Sequence, residues 1–283
     1  MPAVLTFSAA DGLELAYHAQ GEGRPLICIP GGPMRDSRYL GDLGGLSATC
    51  RLVRLDLAGT GHSAIAGDAS RYCCDQLVAD VRALQDHLGL ERVDLLGHSA
   101  GANVAVLYAA QYPESVRRLV LIGPSTRAVG MDASSEMRRE ILQLRHAEPW
   151  FAAASAAFER VQTGESTDAD WDAMSPLIYG RWDAAAQASA AAQDLEMNIE
   201  AAQAFGGPGA FDPPATRAAL ATFDSPVLVL VGEWDINTPP RLAAEVAALF
   251  PSATFVIQPG AGHTLPWLDD AAAFTSTVSA FLA

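Results

Sequence analysis

The sequence predicts an α/β fold in which a mostly parallel, twisted sheet carries helices on both faces and a helical cap is inserted into the core. Three observations predict it. Short apolar runs alternate with helical patterns in residues 1–124, the alternation stops in residues 125–220, and it resumes in residues 221–283. Strands that alternate with helices form parallel sheets with right-handed crossovers. We therefore assign residues 1–124 and 221–283 to one core and residues 125–220 to the cap.

The first part of the core contains six strand patterns. In chain order they cover residues 3–8, 13–19, 24–30, 51–57, 92–97 and 117–123. The turn pair Asp11-Gly12 separates the first two. The later ones are continuous apolar runs, which are typical of parallel strands buried on both faces. Apolar residues recur at spacings of three and four over residues 70–88, which predicts an amphipathic helix, and a second helix is expected over residues 100–112.

Residues 125–220 are rich in Ala, Asp and Glu and contain no convincing strand pattern, so they predict several helices. The core pattern returns with a strand over residues 225–232, a helix over 240–250 and a strand over 253–258. A glycine-rich loop and a final helix over residues 269–283 complete the chain. The cap therefore interrupts one continuous α/β unit.

Charge and composition exclude several function classes. The formal net charge is −15, and nucleic acid or an anionic membrane would need a basic surface. All 18 basic residues are arginines, so a lysine Schiff base is excluded. The four cysteines lack metal-ligand spacing, and no run of 18 apolar residues or signal-peptide pattern is present. We expect a cytoplasmic protein without metal or cofactor.

The stretch Gly97-His98-Ser99-Ala100-Gly101 places one serine between two glycines where a strand pattern changes to a helical one. A nucleophile elbow needs small residues on both sides so that strand and helix can approach while the serine adopts a strained backbone. This context predicts that Ser99 is a nucleophile. The alternative is a serine that only caps a helix.

A serine hydroxyl needs a base and an acid that orients it. Of the six histidines, only His263 follows the last predicted strand, which is where the base lies in the chain order Ser, Asp, His. Asp235 follows the strand over residues 225–232 and is the expected acid, with Glu233 as the local competitor. A surface histidine and a turn aspartate are the alternatives.

A tetrahedral intermediate needs two hydrogen-bond donors for its oxyanion. We expect one to be the backbone N–H of Ala100, directly after the nucleophile. The other should come from the loop after residues 24–30, where Gly32 leaves the peptide exposed. The alternative is an ordinary Gly-Pro turn, in which the Gly32–Pro33 bond can be cis.

Together these motifs resemble the α/β-hydrolase family, and within it the proline iminopeptidase-like branch. The resemblance covers nearly the whole chain and is carried by PGGPM, DLAGTGHS, GHSAG, GEWD and GAGH. It implies a triad of Ser99, Asp235 and His263, an oxyanion hole of Gly32 and Ala100, and no cofactor. Pro30 and Ala58 depart from the histidine and arginine that are usual in the first two motifs, and GHSAG departs from the Gly-Gly-Ser-Trp-Gly pattern of iminopeptidases.

In iminopeptidases a cap glutamate receives the free amine of the substrate. By that likeness the candidates are Glu196 and Glu200, because a spacing of four places both on one helical face. A solvated acidic face is the alternative. His98 is expected to line the site or pack beneath it, and Trp150 and Trp267 could line the cleft, with ordinary packing as the alternative.

These observations predict a metal-independent serine hydrolase that acts on a small molecule or short peptide, most simply an amide with a free amine. Ester, thioester or lactone hydrolysis, or acyl transfer and cyclisation, is the alternative within the same chemistry. A ligand-binding protein on a hydrolase scaffold is the alternative outside it. The sequence does not determine the oligomeric state.

Overall fold

The computed structural model describes residues 3–283 and contains one eight-stranded sheet with the order β1-β2-β4-β3-β5-β6-β7-β8. The strands are β1 Val4–Ser8, β2 Glu14–Gln20, β3 Pro25–Ile29, β4 Arg51–Asp56, β5 Val93–His98, β6 Val116–Ile122, β7 Val227–Gly232 and β8 Ala253–Gln258. Strands β1, β2 and β4 pair antiparallel, and every pair from β4 to β8 is parallel. The predicted fold class is confirmed.

Eleven α-helices occur in the described residues. They are α1 Cys74–His87, α2 Gly101–Gln111, α3 Ser135–Leu144, α4 Phe151–Thr163, α5 Asp168–Met174, α6 Ala184–Glu196, α7 Ile199–Ala204, α8 Pro213–Leu220, α9 Pro240–Ala247, α10 Pro266–Asp269 and α11 Ala271–Leu282. None of these helices is both long enough and apolar enough to cross a membrane.

The hydrophobic core has two layers because successive strand residues point to opposite faces of the sheet. On β3, Ile27 belongs to the cluster that includes residues of α1, α2 and α9. Its neighbours Leu26 and Cys28 belong to the other cluster, together with residues of α11. Helices therefore cover both faces of the sheet.

The segment predicted as the cap contributes no strand to the sheet. Helices α4 and α5 and the following turn share a separate apolar cluster that contains Phe158 and Leu177. Phe205 and Leu220, from the end of the segment, belong instead to the main core cluster. The cap boundary at residues 125–220 therefore stays a prediction.

Helix starts differ from the sequence-based limits where a local cap decides them. The pattern over residues 70–88 becomes a short 3-10 turn over Ala69–Tyr72 followed by α1, because Cys73 is extended with φ −60° and ψ 140°. The last helix starts at Ala271 rather than at residue 269 because the Asp270 carboxylate accepts the N–H of Ala273 at 2.9 Å.

Candidate active site

Ser99 lies in a tight turn between β5 and α2 with a φ of 51°, in the left-handed region that side chains rarely adopt. Strand and helix approach each other closely at the flanking glycines. A Cβ on Gly101 would lie 2.3 Å from the carbonyl oxygen of Pro30, and a Cβ on Gly97 would lie 2.7 Å from the Cα of Ala102. Both positions therefore require glycine, which explains the motif in physical terms.

The imidazole of His263 lies between Ser99 and Asp235. Its Nε2 is 2.8 Å from the Ser99 Oγ, and its Nδ1 is 2.9 Å from the nearer oxygen of Asp235. A carboxylate can only accept, so Nδ1–H donates to Asp235 and Nε2 is left to accept the Ser99 hydroxyl proton. The three side chains meet although they come from the ends of β5, β7 and β8.

Asp235 is fully buried and is fixed by further donors. The backbone N–H groups of Asn237 and Thr238 donate to its Oδ1 at 3.0 and 2.7 Å. The competing acid Glu233 turns away and accepts the N–H of Gly260 at 2.8 Å. The choice of Asp235 over Glu233 as the partner of His263 agrees with this geometry.

The loop after β3 places Gly31 against the serine, and Gly32 follows it in the chain. A Cβ on Gly31 would come within 2.8 Å of the Ser99 Cβ, and the N–H of Gly31 donates to the Tyr39 hydroxyl at 2.6 Å. Gly32 has a φ of 124° and precedes a cis bond to Pro33. Within residues 3–283, no acceptor is found for the N–H of Gly32 or of Ala100.

Two adjacent spaces lie next to this arrangement. A small chamber of about 90 Å³ contains Gly32, Ser99 and His263 at its wall. A larger cleft of about 650 Å³ lies among the helices of the cap segment. Ile178, Gln193 and Asn237 line both spaces, so these three residues form the junction between them.

The larger cleft has more acidic than basic groups. Asp168, Asp172 and Asp194 line it, against the single cation Arg138. Apolar side chains such as that of Trp171, which is 55% exposed, and neutral polar side chains such as that of Gln193 cover the rest of its wall. The cleft can therefore hold a neutral or cationic group more favourably than an anionic one.

The expectation that Glu196 and Glu200 share one helical face is wrong. Helix α6 ends at Glu196, the chain is extended at Met197, and α7 starts at Ile199. Glu196 forms an ion pair with Arg35 at 2.7 Å, and Glu200 is exposed. Neither carboxylate lines the chamber or the cleft.

His98 lines the chamber, but both of its ring nitrogens are already bonded within the protein. Nδ1 lies 2.7 Å from the Tyr39 hydroxyl and Nε2 lies 3.1 Å from the backbone oxygen of His263. Burial, together with the nearby His263, lowers the pKa of His98 to about 3. The imidazole is therefore neutral and not free to bind a substrate group.

The two tryptophans expected at the cleft pack elsewhere. Trp267 is 1% exposed and lies edge-on beneath His98, with ring centroids 5.1 Å apart. The guanidinium carbon of Arg145 lies 4.8 Å from the ring centroid of Trp150. Trp150 also packs against the apolar cluster of the cap segment. Sequence reasoning missed the chamber residues Tyr39 and Arg35, because no local pattern marks a side chain whose partners are distant in the chain.

One group of side chains in the described residues has the spacing of metal ligands: His18, Asp56 and His62. The Asp56 carboxylate is buried and already faces four protein groups. Its Oδ1 accepts the N–H and hydroxyl of Ser37 at 3.2 and 2.6 Å. Its Oδ2 accepts the N–H of His62 at 3.0 Å and lies 3.1 Å from the His18 Nε2. These contacts satisfy the carboxylate without an ion, so we assign it a role in holding the loop at Ser37.

A family model described as alpha/beta hydrolase fold matches residues 24–270. A putative 2-succinyl-6-hydroxy-2,4-cyclohexadiene-1-carboxylate synthase of Bacillus subtilis is 26% identical over 98% of both chains. A proline iminopeptidase of Lactiplantibacillus plantarum is 28% identical over 96% of this chain and 98% of its own length. An N-formylmaleamate deformylase of Pseudomonas putida is 28% identical over 97% and 94%. The crystal structure of a Mycobacterium smegmatis proline iminopeptidase shares the fold, with a TM-score of 0.76, 22% identity and coverage of 99% and 97%.

Proposed function

This chain belongs to the alpha/beta hydrolase fold family, and on that premise we propose that it is a serine hydrolase acting through an acyl-enzyme on Ser99. The observation that carries the proposal is the contact of His263 with both Ser99 and Asp235, at 2.8 and 2.9 Å. This is the arrangement that turns a weakly nucleophilic hydroxyl into an attacking group.

In the proposed reaction, His263 Nε2 takes the Ser99 proton while Oγ attacks the acyl carbon. The N–H groups of Gly32 and Ala100 hold the oxyanion, since Gly32 lines the chamber with Ser99, Ala100 directly follows the serine, and neither N–H has a protein acceptor within residues 3–283. His263 then gives the proton to the leaving group, and water enters to release the acyl group by the same steps. Asp235 fixes the ring and stabilises the imidazolium throughout.

For the substrate class we propose a small amide or short peptide with a free amine. The excess of carboxylates in the cleft supports a neutral or cationic substrate. Two relatives that span nearly the whole chain carry the names of a peptidase and a deformylase, which supports amide cleavage. A third relative carries the name of a putative synthase, so chemistry other than simple hydrolysis, such as acyl transfer or cyclisation, is the second candidate.

A fluorophosphonate probe tests the reaction class. We expect stoichiometric labelling of the folded protein, with the adduct mapped to Ser99 by mass spectrometry and absent from Ser99→Ala. The absence of labelling in the folded protein would instead support a ligand-binding protein on a hydrolase scaffold.

Matched chromogenic substrates test the substrate class. Amino-acid p-nitroanilides should be turned over, and their N-acetylated forms should have a higher KM because the amine charge is lost. Turnover of p-nitrophenyl esters alone would overturn the amide assignment and leave the serine hydrolase proposal intact.

A further inference from the structure

Three separate loops must stay in register at the chamber: the glycine loop after β3, the turn at Ser99 and the loop that carries His263. One chain of hydrogen bonds joins all three. It runs from the N–H of Gly31 to the Tyr39 hydroxyl at 2.6 Å, from that hydroxyl to His98 Nδ1 at 2.7 Å, and from His98 Nε2 to the His263 backbone oxygen at 3.1 Å.

The direction of every bond in this chain follows from its two ends. A backbone oxygen only accepts, so His98 carries its proton on Nε2 and presents a bare Nδ1 to Tyr39. The Tyr39 hydroxyl therefore donates to Nδ1, and its oxygen is left to accept the N–H of Gly31. Only one tautomer of His98 and one rotamer of the Tyr39 hydroxyl satisfy all three contacts.

The surroundings hold this arrangement in place. The Arg35 guanidinium lies 4.3 Å from the centroid of the Tyr39 ring, and Trp267 packs edge-on to His98. Burial keeps the pKa of His98 far below neutral and raises the pKa of Tyr39, so neither group ionises at neutral pH. The chain of hydrogen bonds is therefore intact in the folded protein near neutral pH.

We propose that Tyr39 and His98 are positioning residues that lock the oxyanion loop, the Ser99 turn and the His263 loop into one unit. This inference rests on the proposed function, because it assigns the two residues to the reaction proposed for Ser99. Neither residue exchanges a proton with the substrate.

This chain of hydrogen bonds also determines which glycine N–H is available to the oxyanion. Because Tyr39 accepts the N–H of Gly31, that group is not available to a ligand, whereas the N–H of Gly32 has no acceptor in the part of the protein that the structure describes. Gly31 nevertheless touches the serine, since a Cβ there would lie 2.8 Å from that of Ser99. Tyr39 thus fixes Gly31, and Gly31 fixes the distance between Ser99 and the Gly32 donor.

Three variants break this chain of hydrogen bonds at different points. Tyr39→Phe removes the central hydroxyl, His98→Asn keeps an acceptor for Tyr39 but cannot reach the His263 backbone, and His98→Gln offers a donor to that backbone. We expect each to lower kcat by about 10- to 100-fold, because loss of register misplaces donors and base by fractions of an ångström. KM should stay within about three-fold, since no substrate contact is removed.

The double variant Tyr39→Phe/His98→Asn is the sharper test. Groups that act as one chain are non-additive, so the double variant should be no slower than the slower single variant by more than about two-fold. Multiplied effects would overturn the proposal in favour of two independent structural roles. Values of kcat within about two-fold of the wild type in the folded single variants would also overturn it.

The protein contains a second Tyr–His contact, remote from the chamber, that serves as a matched control. Tyr17 Oη lies 3.5 Å from His87 Nε2, and Tyr17 is 5% exposed. Tyr17→Phe and His87→Asn remove the same atoms from a Tyr–His contact outside the site, so they should leave kcat unchanged. A loss there equal to the loss in Tyr39→Phe would show that the effect is general destabilisation.

A readout without substrate separates this inference from the proposed function. Nitrogen-15 NMR of wild-type His98 should show a neutral ring protonated on Nε2 from pH 5 to 9, and Tyr39→Phe should change its tautomer or shift. A His98 ring protonated on Nδ1 would contradict the proposed chain of hydrogen bonds even if the enzyme is active. If the fluorophosphonate does not label Ser99 but His98 gives the expected spectrum, only the proposed function is overturned.

Discussion

The chamber around Ser99 and the cleft among the cap helices differ in how their polar groups are bonded. His98 and His263 line the chamber, Asp235 lies behind His263, all three are buried, and each ring nitrogen and carboxylate oxygen has a protein partner. At the junction with the cleft, the side-chain amides of Gln193 and Asn237 have no protein partner within residues 3–283. The chamber is preorganised, whereas the junction and cleft still have unused hydrogen-bonding capacity.

Under the proposed function, this difference assigns the chemistry to the chamber and the choice of substrate to the cleft. Preorganised donors and a fixed base act on the transition state without reorganisation at the moment of reaction. Amides without a protein partner and exposed side chains can exchange bound water for a substrate group, so they contribute to substrate choice. We therefore expect chamber substitutions to lower kcat and cleft substitutions to change KM or selectivity.

The largest expected effect is at Ser99. Ser99→Ala should lower kcat by about 10⁴-fold or more with little change in thermal stability, because it removes the nucleophile. Ser175→Ala, a serine of the cleft, should leave kcat unchanged and alter KM by at most about three-fold. Steady-state kinetics on one chromogenic substrate checks both. Equal losses of kcat in the two variants would contradict the assignment of chemistry to the chamber and of substrate choice to the cleft.

The second effect concerns the acid. Asp235→Asn should lower kcat by about 10⁴-fold, because the amide stabilises the wrong tautomer of His263. Glu233→Gln is the matched control, since Glu233 lies two residues away and bonds only the loop N–H of Gly260. The same assay, with circular dichroism to confirm folding, measures both. A larger loss in the Glu233 variant would reverse the assignment of the acid.

The third effect tests the junction. Gln193→Leu and Asn237→Leu should each change kcat/KM by about ten-fold or less, since each removes a neutral hydrogen bond to the substrate. Labelling of Ser99 by a small fluorophosphonate should proceed at the wild-type rate. If labelling slowed as much as turnover, the junction would belong to the reaction centre and the comparison would fail.

The fourth effect concerns stability and pH. The pKa of His98 is lowered from 6.5 to about 3 by burial, so the unfolded chain binds a proton that the folded chain does not between these values. This contribution to stability is present above pH 6.5 and is lost as the pH falls toward 3. Urea unfolding of His98→Gln should therefore show a shallower decline in the free energy of unfolding over this range than the wild type. An equal slope would contradict the assignment.

The smallest effect isolates backbone strain. Ser99→Gly should be more stable than Ser99→Ala by about 1 kcal/mol, because only glycine adopts a positive φ without a steric cost. Both variants lack the hydroxyl, so the comparison cancels its loss. Thermal unfolding of the two inactive proteins measures the difference. Equal stability would mean that the turn relaxes once the hydroxyl is removed.

Much of the fold and the contacts of the predicted triad could be predicted because they follow from local patterns. Apolar runs identified all eight strands, and the strand over residues 253–258 has the predicted limits. Parallel strands bring their carboxyl ends to one edge of the sheet. For that reason Ser99, Asp235 and His263 could be placed together from their positions after three strands, although 164 residues separate the serine from the histidine.

Local sequence patterns predicted the order of strands and helices in the α/β core, the glycines of the Ser99 turn and the convergence of three side chains at the sheet edge. The partners of the remaining polar groups were set by tertiary contacts between distant segments. It paired Glu196 with Arg35 across 161 residues, separated Glu196 from Glu200, and bonded Tyr39 to His98. The physical reason is that periodicity fixes which face a residue occupies, whereas the bond that a buried polar atom makes depends on what another element brings within about 3 Å of it.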